Sequence, residues 1–91
     1  MNKNELIDRV SDRTGLRKKD VGLVTAAVFA CMADALAQEE KISIAGFGVM
    51  EVRHRAARTG HLPMDRREVE IPAAKVPVFR PSKQLKEKVN Q

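Results

Sequence analysis

The periodicity of apolar residues changes once along this chain, near Lys41, and that change separates two kinds of structure. Before it, apolar residues recur at helical spacing. After it, they alternate with polar residues, as they do on a strand with one buried face. The sequence therefore predicts an α+β fold in which a helical hairpin comes first and an antiparallel sheet follows.

The first helix carries signals at both of its ends. Asn2 and Glu5 have the spacing of an N-cap and its reciprocal partner, and Gly15 offers a left-handed end. We therefore expect a helix over residues 3–14.

A second helix is predicted from about Lys18 to Gln38. The lone cysteine, Cys31, falls within it and is expected to pack in the core of a protein from a reducing compartment. The expected buried face consists of Val21, Val24, Val28, Phe29, Met32 and Leu36. No apolar run is expected to be long enough for a membrane span, so the protein is predicted to be cytoplasmic.

The glycines at 46 and 48 predict the turn of a β-hairpin, because alternating runs lie on either side of them. Residues 53–71 lose the alternation and regain it only at their end, which suggests a long two-stranded arm. The return strand should bring Val76, Val78 and Phe79 back to the core, and Ser82 should cap a short final helix.

The expected organisation is a single domain over residues 1–91. Residues 1–40 form a helical dimerisation base, 41–81 the three-stranded sheet and its arm, and 82–91 the C-terminal helix. The arm tip is expected near residues 60–67.

Positive charge is concentrated in the second half of the chain. Residues 1–45 contain seven basic and seven acidic residues, whereas residues 46–91 contain ten basic and five acidic ones. A neutral half joined to a basic half indicates a packing module that carries a polyanion-binding module, with nucleic acid the commonest partner. Heparin-like or membrane targets stay open on charge alone.

The predicted arm is slim and cationic. Arg53 and Arg55 point to the same side of a strand, and Arg58 follows two alanines. Such a ribbon fits the minor groove of DNA, although a charged edge strand that blocks aggregation would have the same composition. Pro63 lies near the midpoint of the arm, either as a turn proline or as a wedge between base pairs.

No catalytic or metal-binding constellation is evident in the sequence. His54 and His61 lack further ligands at metal-binding spacing, and we find no Ser-His-acid, Cys-His or phosphate-cradling motif. The protein is therefore not expected to be an enzyme or to hold a cofactor.

Several motifs together resemble the bacterial histone-like HU proteins, relatives of integration host factor. The resemblance covers nearly the whole chain, from its Met-Asn-Lys start. The motifs are Gly46-Phe47-Gly48, Glu51-Val52-Arg53, Arg55-Ala56-Ala57-Arg58, Gly60, Pro63, and Glu70 through Pro77 with Phe79.

The resemblance implies an intertwined homodimer with a helical base, a saddle-like sheet and two arms that embrace bent DNA. It implies Pro63 as the intercalating wedge and a dimer core of Phe29, Phe47, Met50 and Phe79. The residues expected at the DNA are Lys3, Arg53, Arg55, Arg58, His61, Pro63, Arg66, Arg67, Lys75, Arg80, Lys83 and Lys86.

This chain departs from the family pattern at several places, among them Met50, where the family often has Phe, and Arg17, where it often has a Ser N-cap. The arm tip, from His61 to Arg67, lacks the usual Gly at Arg66 and has the apolar Leu62 and Met64. Glu39 stands where the family often has Gly, so a less well capped end of the second helix is expected.

We expect a nucleoid-associated protein that bends and compacts double-stranded DNA with little sequence specificity, and that prefers deformable or distorted DNA. One alternative is a sequence-specific bender like integration host factor. Another is an interaction protein that uses the apolar arm tip. RNA binding ranks lower, because the chain lacks an aromatic stacking platform.

Overall fold

The computed structural model describes residues 1–61 and 68–91. Their order is α1 Lys3–Thr14, α2 Lys18–Ala37, β1 Ile42–Ile44, β2 Gly48–Arg55, β3 Arg58–His61, β4 Glu68–Ile71, β5 Ala74–Pro81 and α3 Lys83–Val89. The chain forms two compact units, Met1–Ala35 and Leu36–Gln91. The predicted α+β class is confirmed, with helices first and the sheet after them.

Helix α1 has the bounds, the N-cap residue and the left-handed end that its sequence predicts. The side chain of Asn2 accepts a hydrogen bond of 2.9 Å from the backbone N–H of Glu5. At the other end, Gly15 adopts φ 75° and donates to the carbonyl oxygen of Ser11 at 2.8 Å. These bonds satisfy backbone groups that a helix terminus would otherwise leave unpaired.

Helix α2 ends at Ala37, one residue before its predicted end. Beyond it, Glu39 adopts φ 60°, the only positive φ of a non-glycine residue in the described chain, and its N–H donates to Leu36 O at 2.9 Å. A side chain disfavours this left-handed conformation, which glycine adopts freely. The left-handed residue that follows the helix is thus a glutamate, at the position where the family often has glycine.

The expected buried face of α2 is wrong for a single chain. Val21 is buried, at 3% exposure, but Val24 is 60% exposed and Phe29 is 47% exposed. Val28 is exposed as well, while Met32 and Leu36 are half-buried. The periodicity correctly identifies an apolar face, but one chain does not supply the surface that would cover it.

Cys31 is also exposed, which contradicts its expected place in the core. The physical reason is the same, because the single chain leaves most of α2 accessible.

The expectation that no segment is long and apolar enough to cross a membrane is also wrong. By length and composition alone, Lys18–Ala37 meets that test in the described part of the chain. Its several alanines raise its hydropathy without adding large apolar side chains. Asp34 lies in the same helix, and an acidic residue costs roughly 2.5 to 3.5 kcal/mol near the centre of a membrane helix. Asp34 therefore counts against a membrane as the cover of this apolar surface.

The predicted hairpin at the glycines is confirmed. β1 and β2 pair antiparallel, with Ile44 opposite Gly48. Gly46 adopts φ 76° in the turn between them, where Phe47 N–H donates to Ile44 O at 3.0 Å. β5 pairs antiparallel with the other edge of β2, which gives a three-stranded sheet in the order β1-β2-β5.

The arm continues the same two strands after a short break. β3 and β4 form a separate antiparallel pair, from Arg58 opposite Ile71 to His61 opposite Glu68. Residues 56–57 on the outgoing strand and 72–73 on the return strand lie between the two sheets. Pro72 therefore needs no strand partner, and Pro77 lies on the edge strand β5, as its missing N–H favours.

The final helix begins at the predicted cap. Ser82 Oγ accepts from the N–H of Leu85 at 3.1 Å. The N–H of Ser82 donates to Phe47 O at 2.8 Å, which ties the end of β5 to the β1–β2 turn.

Candidate nucleic-acid interface

The register of β2 and β5 gives the sheet two chemically different faces. Residues that pair across antiparallel strands point to the same side, and the sides alternate along each strand. One side, the cationic face, consists of Val49, Glu51, Arg53, Arg55, Ala74, Val76, Val78 and Arg80. The other side, the apolar face, includes Ile42, Ile44, Met50, Val52 and Phe79.

This alternation corrects one expectation about the core. Val76 and Val78 lie on the cationic face, whereas Phe79 lies on the apolar face. The three side chains therefore do not join one core within the sheet, because neighbouring strand positions point in opposite directions.

Glu51 organises the cationic face. Arg80 contacts both oxygens of this carboxylate: Nε lies 3.1 Å from Oε1, and Nη2 donates to Oε2 at 3.5 Å. The contact is therefore bidentate. Arg53 approaches the same carboxylate at 3.8 Å. Glu51 is partly buried, at 24% side-chain exposure, whereas the two arginines are more than half exposed. Three guanidinium groups and one carboxylate leave this face with net positive charge.

Arg55 and Arg58 are brought together at the break in the arm. Both line one concavity, whose other residues are Ala56, Ala57, Ile71, Pro72 and Ala74. The small alanines keep this part of the chain slim, as the sequence pattern predicts.

A second cluster of charged side chains lies on the apolar face, at the end of the sheet from which the arm continues. His54 and Lys75 are cross-strand partners, and both contact the carboxylate of Glu39. Lys75 thus lies on the face opposite Arg53 and Arg55. Desolvation, the largest single influence, raises the pKa of Glu39, but the hydrogen bonds and positive charges of His54 and Lys75 together outweigh it and leave the pKa below its ordinary value of 4.5.

The cations of the helices are exposed. Lys3 is the first residue of α1, and Lys83 and Lys86 are three residues apart on α3, on neighbouring positions of its surface. Lys83 lies 3.9 Å from Glu87, but both side chains are mostly exposed, so this pair holds neither of them firmly.

The residues expected in a dimer core present apolar surface. The rings of Phe47 and Phe79 lie 5.5 Å apart between centroids at an angle of 41°, and both residues remain more than 40% exposed. Met50 pairs with Phe79 across the strands. In the helical unit, Phe29 lines a groove with Leu6.

Pro63, Arg66 and Arg67 lie outside the described residues, as do Leu62 and Met64. His61 ends β3 opposite Glu68. Within the described ranges, no three His, Cys, Asp or Glu side chains are arranged to hold a metal ion.

Sequence reasoning missed two functional candidates, Glu51 and Glu39. The first could have been found, because Glu51 lies two residues before Arg53 and four before Arg55, and so shares their face. The contact of Glu39 with His54 could not, since it depends on the path of the chain after α2.

Comparison with known proteins agrees with the geometry. The profile of the family described as bacterial DNA-binding protein matches residues 1–90. The chain is 51% identical to DNA-binding protein HU of Thermotoga maritima over 89 residues, which are 98% of this chain and 99% of the relative. It is 49% identical to DNA-binding protein HU of Geobacillus stearothermophilus, with the same coverage.

The fold is also similar to solved HU structures. Anabaena HU, in a cocrystal with DNA, matches with a TM-score of 0.90 and 38% identity over 98% of this chain and 97% of that chain. HU from Thermotoga maritima matches with a TM-score of 0.71 over 98% of each chain. One profile and these relatives extend over both compact units, and the chain therefore belongs to the HU family of bacterial DNA-binding proteins.

Proposed function

We propose that this protein is a histone-like architectural protein that binds double-stranded DNA as a homodimer, without catalysis, and bends it with little sequence specificity. Its place would be the bacterial nucleoid, in the cytoplasm. The predicted single domain over residues 1–91 is part of this proposal.

The cationic face is the observation that carries the proposal. It presents Arg53, Arg55 and Arg80 on one side of a sheet, and its only carboxylate in the described residues belongs to Glu51. Arginine side chains spread over a smooth sheet suit the phosphates of a duplex, which offer negative charge at every step and no sequence information. The cocrystal of Anabaena HU with DNA supports the same partner for this chain.

The arm would follow the minor groove. Arg55 and Arg58 line one concavity beside two alanines, and a two-stranded ribbon with small side chains matches a groove about 6 Å wide. The proposed contacts beyond this region are His61, Arg66 and Arg67 near the tip, Lys75 at the start of β5, and Lys3, Lys83 and Lys86 on the helices.

The homodimer follows from exposed apolar surface. Leu23, Val24 and Phe29 on α2, and Phe47 and Phe79 on the sheet unit, are between 42% and 73% exposed in the single chain. Such surface in a chain of 91 residues calls for a partner, and a second copy offers the same surfaces.

The direct test is binding to a duplex labelled at both ends, with intact, nicked and four-way-junction DNA compared at two salt concentrations. We expect the labels to approach one another and distorted DNA to bind more tightly. Affinity should fall steeply as salt rises, because binding releases counterions from the DNA phosphates. Tight binding without approach of the labels would reject bending, and a flat salt response would reject phosphate neutralisation.

Pro63 is the proposed wedge. The variant Pro63→Ala should bend DNA less while it keeps salt-sensitive binding, because the flanking arginines remain. Unchanged bending would remove the wedge, and complete loss of binding in a folded dimer would indicate a wider role for the tip.

A further inference from the structure

The carboxylate of Glu39 bridges two strands at once. One of its oxygens contacts Nε2 of His54 on β2, and the other lies 3.5 Å from Nζ of Lys75 on β5. His54 and Lys75 are directly opposite each other in the ladder. A single side chain from the segment after α2 therefore spans the β2–β5 pair.

The bridge lies where the arm leaves the sheet. The pair formed by His54 and Lys75 is followed by only one more, Arg55 with Ala74, before both strands break. We call these last two pairs the arm base. Beyond the arm base the outgoing and return strands have two residues each without a ladder partner, so their direction depends on how the base is held.

The backbone of Glu39 does not explain why a glutamate is there. Its φ of 60° suits glycine better than any residue with a side chain. Its N–H bond to Leu36 O involves the backbone alone, and a glycine would make the same bond. What a glutamate adds at this position is the contact of its carboxylate with His54 and Lys75.

Stability alone is a weak explanation as well. The side chains of His54 and Lys75 are 64% and 61% exposed, and ion pairs between exposed groups contribute little to folding. A contact that adds little stability can still select one position for a segment that would otherwise have several.

We propose that Glu39 is a positioning residue that clamps the arm base and so sets the direction in which the arm meets DNA. The consequence for DNA rests on the proposed function. The clamp itself is a property of the free protein, so it is testable without DNA.

The rival role for Glu39 is neutralisation of His54 and Lys75. In that case its removal would free two cations for phosphates, and DNA affinity would rise with a steeper salt dependence. A clamp predicts the opposite result, which is weaker binding with an unchanged salt slope, since no phosphate contact is gained or lost.

The experiment compares the full-length wild-type dimer with Glu39→Gly, which removes the carboxylate and suits the left-handed backbone. Glu39→Gln keeps the side-chain volume, and Glu40→Gln is the matched control for loss of one negative charge next to it. Amide hydrogen exchange is measured at the arm base and in the β1–β2 hairpin, together with DNA affinity at several salt concentrations.

We expect exchange at the arm base to accelerate about twofold to fivefold in both Glu39 variants, in line with the strength of an exposed ion pair, while the β1–β2 hairpin and Glu40→Gln stay unchanged. Affinity for an intact duplex should fall by about the same factor at an unchanged salt slope. In a variant that already has both His54→Gln and Lys75→Gln, Glu39→Gln should not accelerate exchange at the arm base further, because the carboxylate has no partner left.

Unchanged exchange at the arm base in the Glu39 variants would overturn the clamp, as would higher affinity with a steeper salt slope. If the wild type binds no DNA, the proposed function fails, and the exchange comparison still decides the clamp.

Discussion

A side chain at Gly48 would collide with Phe79 on the neighbouring strand. A Cβ built at this glycine lies 2.6 Å from a carbon of the Phe79 ring and 2.6 Å from the carbonyl oxygen of Arg80. The Phe79 ring therefore occupies the space that a side chain at Gly48 would need. The centroid of the same ring lies 5.5 Å from the centroid of the Phe47 ring. The Gly-Phe-Gly motif thus combines a turn with a place for an aromatic ring.

We predict that Gly48→Ala destabilises the protein by about 1 to 3 kcal/mol, the usual cost of overpacking, because backbone as well as ring must move. Denaturant unfolding at fixed protein concentration measures the loss. Gly46→Ala is the matched control, since a Cβ there meets nothing within 4 Å and the cost comes only from φ 76°. Equal stability of Gly48→Ala and wild type would contradict the close approach.

The negative charge of Glu51 should weaken DNA binding, because it repels the phosphates. We predict that Glu51→Gln raises affinity about threefold to tenfold, because a carboxylate beside the phosphates is removed and Arg80 and Arg53 are released for them. Titration of a labelled duplex at low and moderate salt measures the gain, which should shrink as salt rises. A fall in affinity would instead mean that Glu51 holds Arg80 in its binding position.

The elements were predictable to the extent that their signals are local. Asn2, Gly15 and Ser82 each act within four residues of the chain, and the helix bounds that they set are confirmed. The exposure of Phe29 and Cys31 was not predictable in this way, since burial depends on which surface covers a helix face. The shared face of Arg53 and Arg55 follows from strand periodicity, whereas the bridge from Glu39 needs the three-dimensional path of the chain.

The lowered pKa of Glu39 predicts a pH dependence of stability. Because the folded state favours the charged carboxylate, Glu39 stabilises the fold above its ordinary pKa of 4.5, and this contribution disappears as pH falls through the lower pKa of the folded state. The difference in unfolding free energy between wild type and Glu39→Gln should therefore shrink from pH 7 to pH 3. A difference that is constant across this range would contradict the ion pair with His54 and Lys75.

The exposed face of α2 predicts that folding and dimerisation are linked. If a second copy covers Phe29, Phe29→Ala should lower the free energy of unfolding by about 3 to 5 kcal/mol per buried ring. A ring that stays 47% exposed could not produce a loss of this size. The wild-type melting temperature should rise with protein concentration, because association stabilises the native state by mass action. Leu85→Ala, at a half-buried position on α3, is the control for truncation outside α2. The dimer would be refuted if the wild type sedimented as a stable monomer and Phe29→Ala were no less stable. The apolar surface of α2 would then have to be explained by a partner other than a second copy.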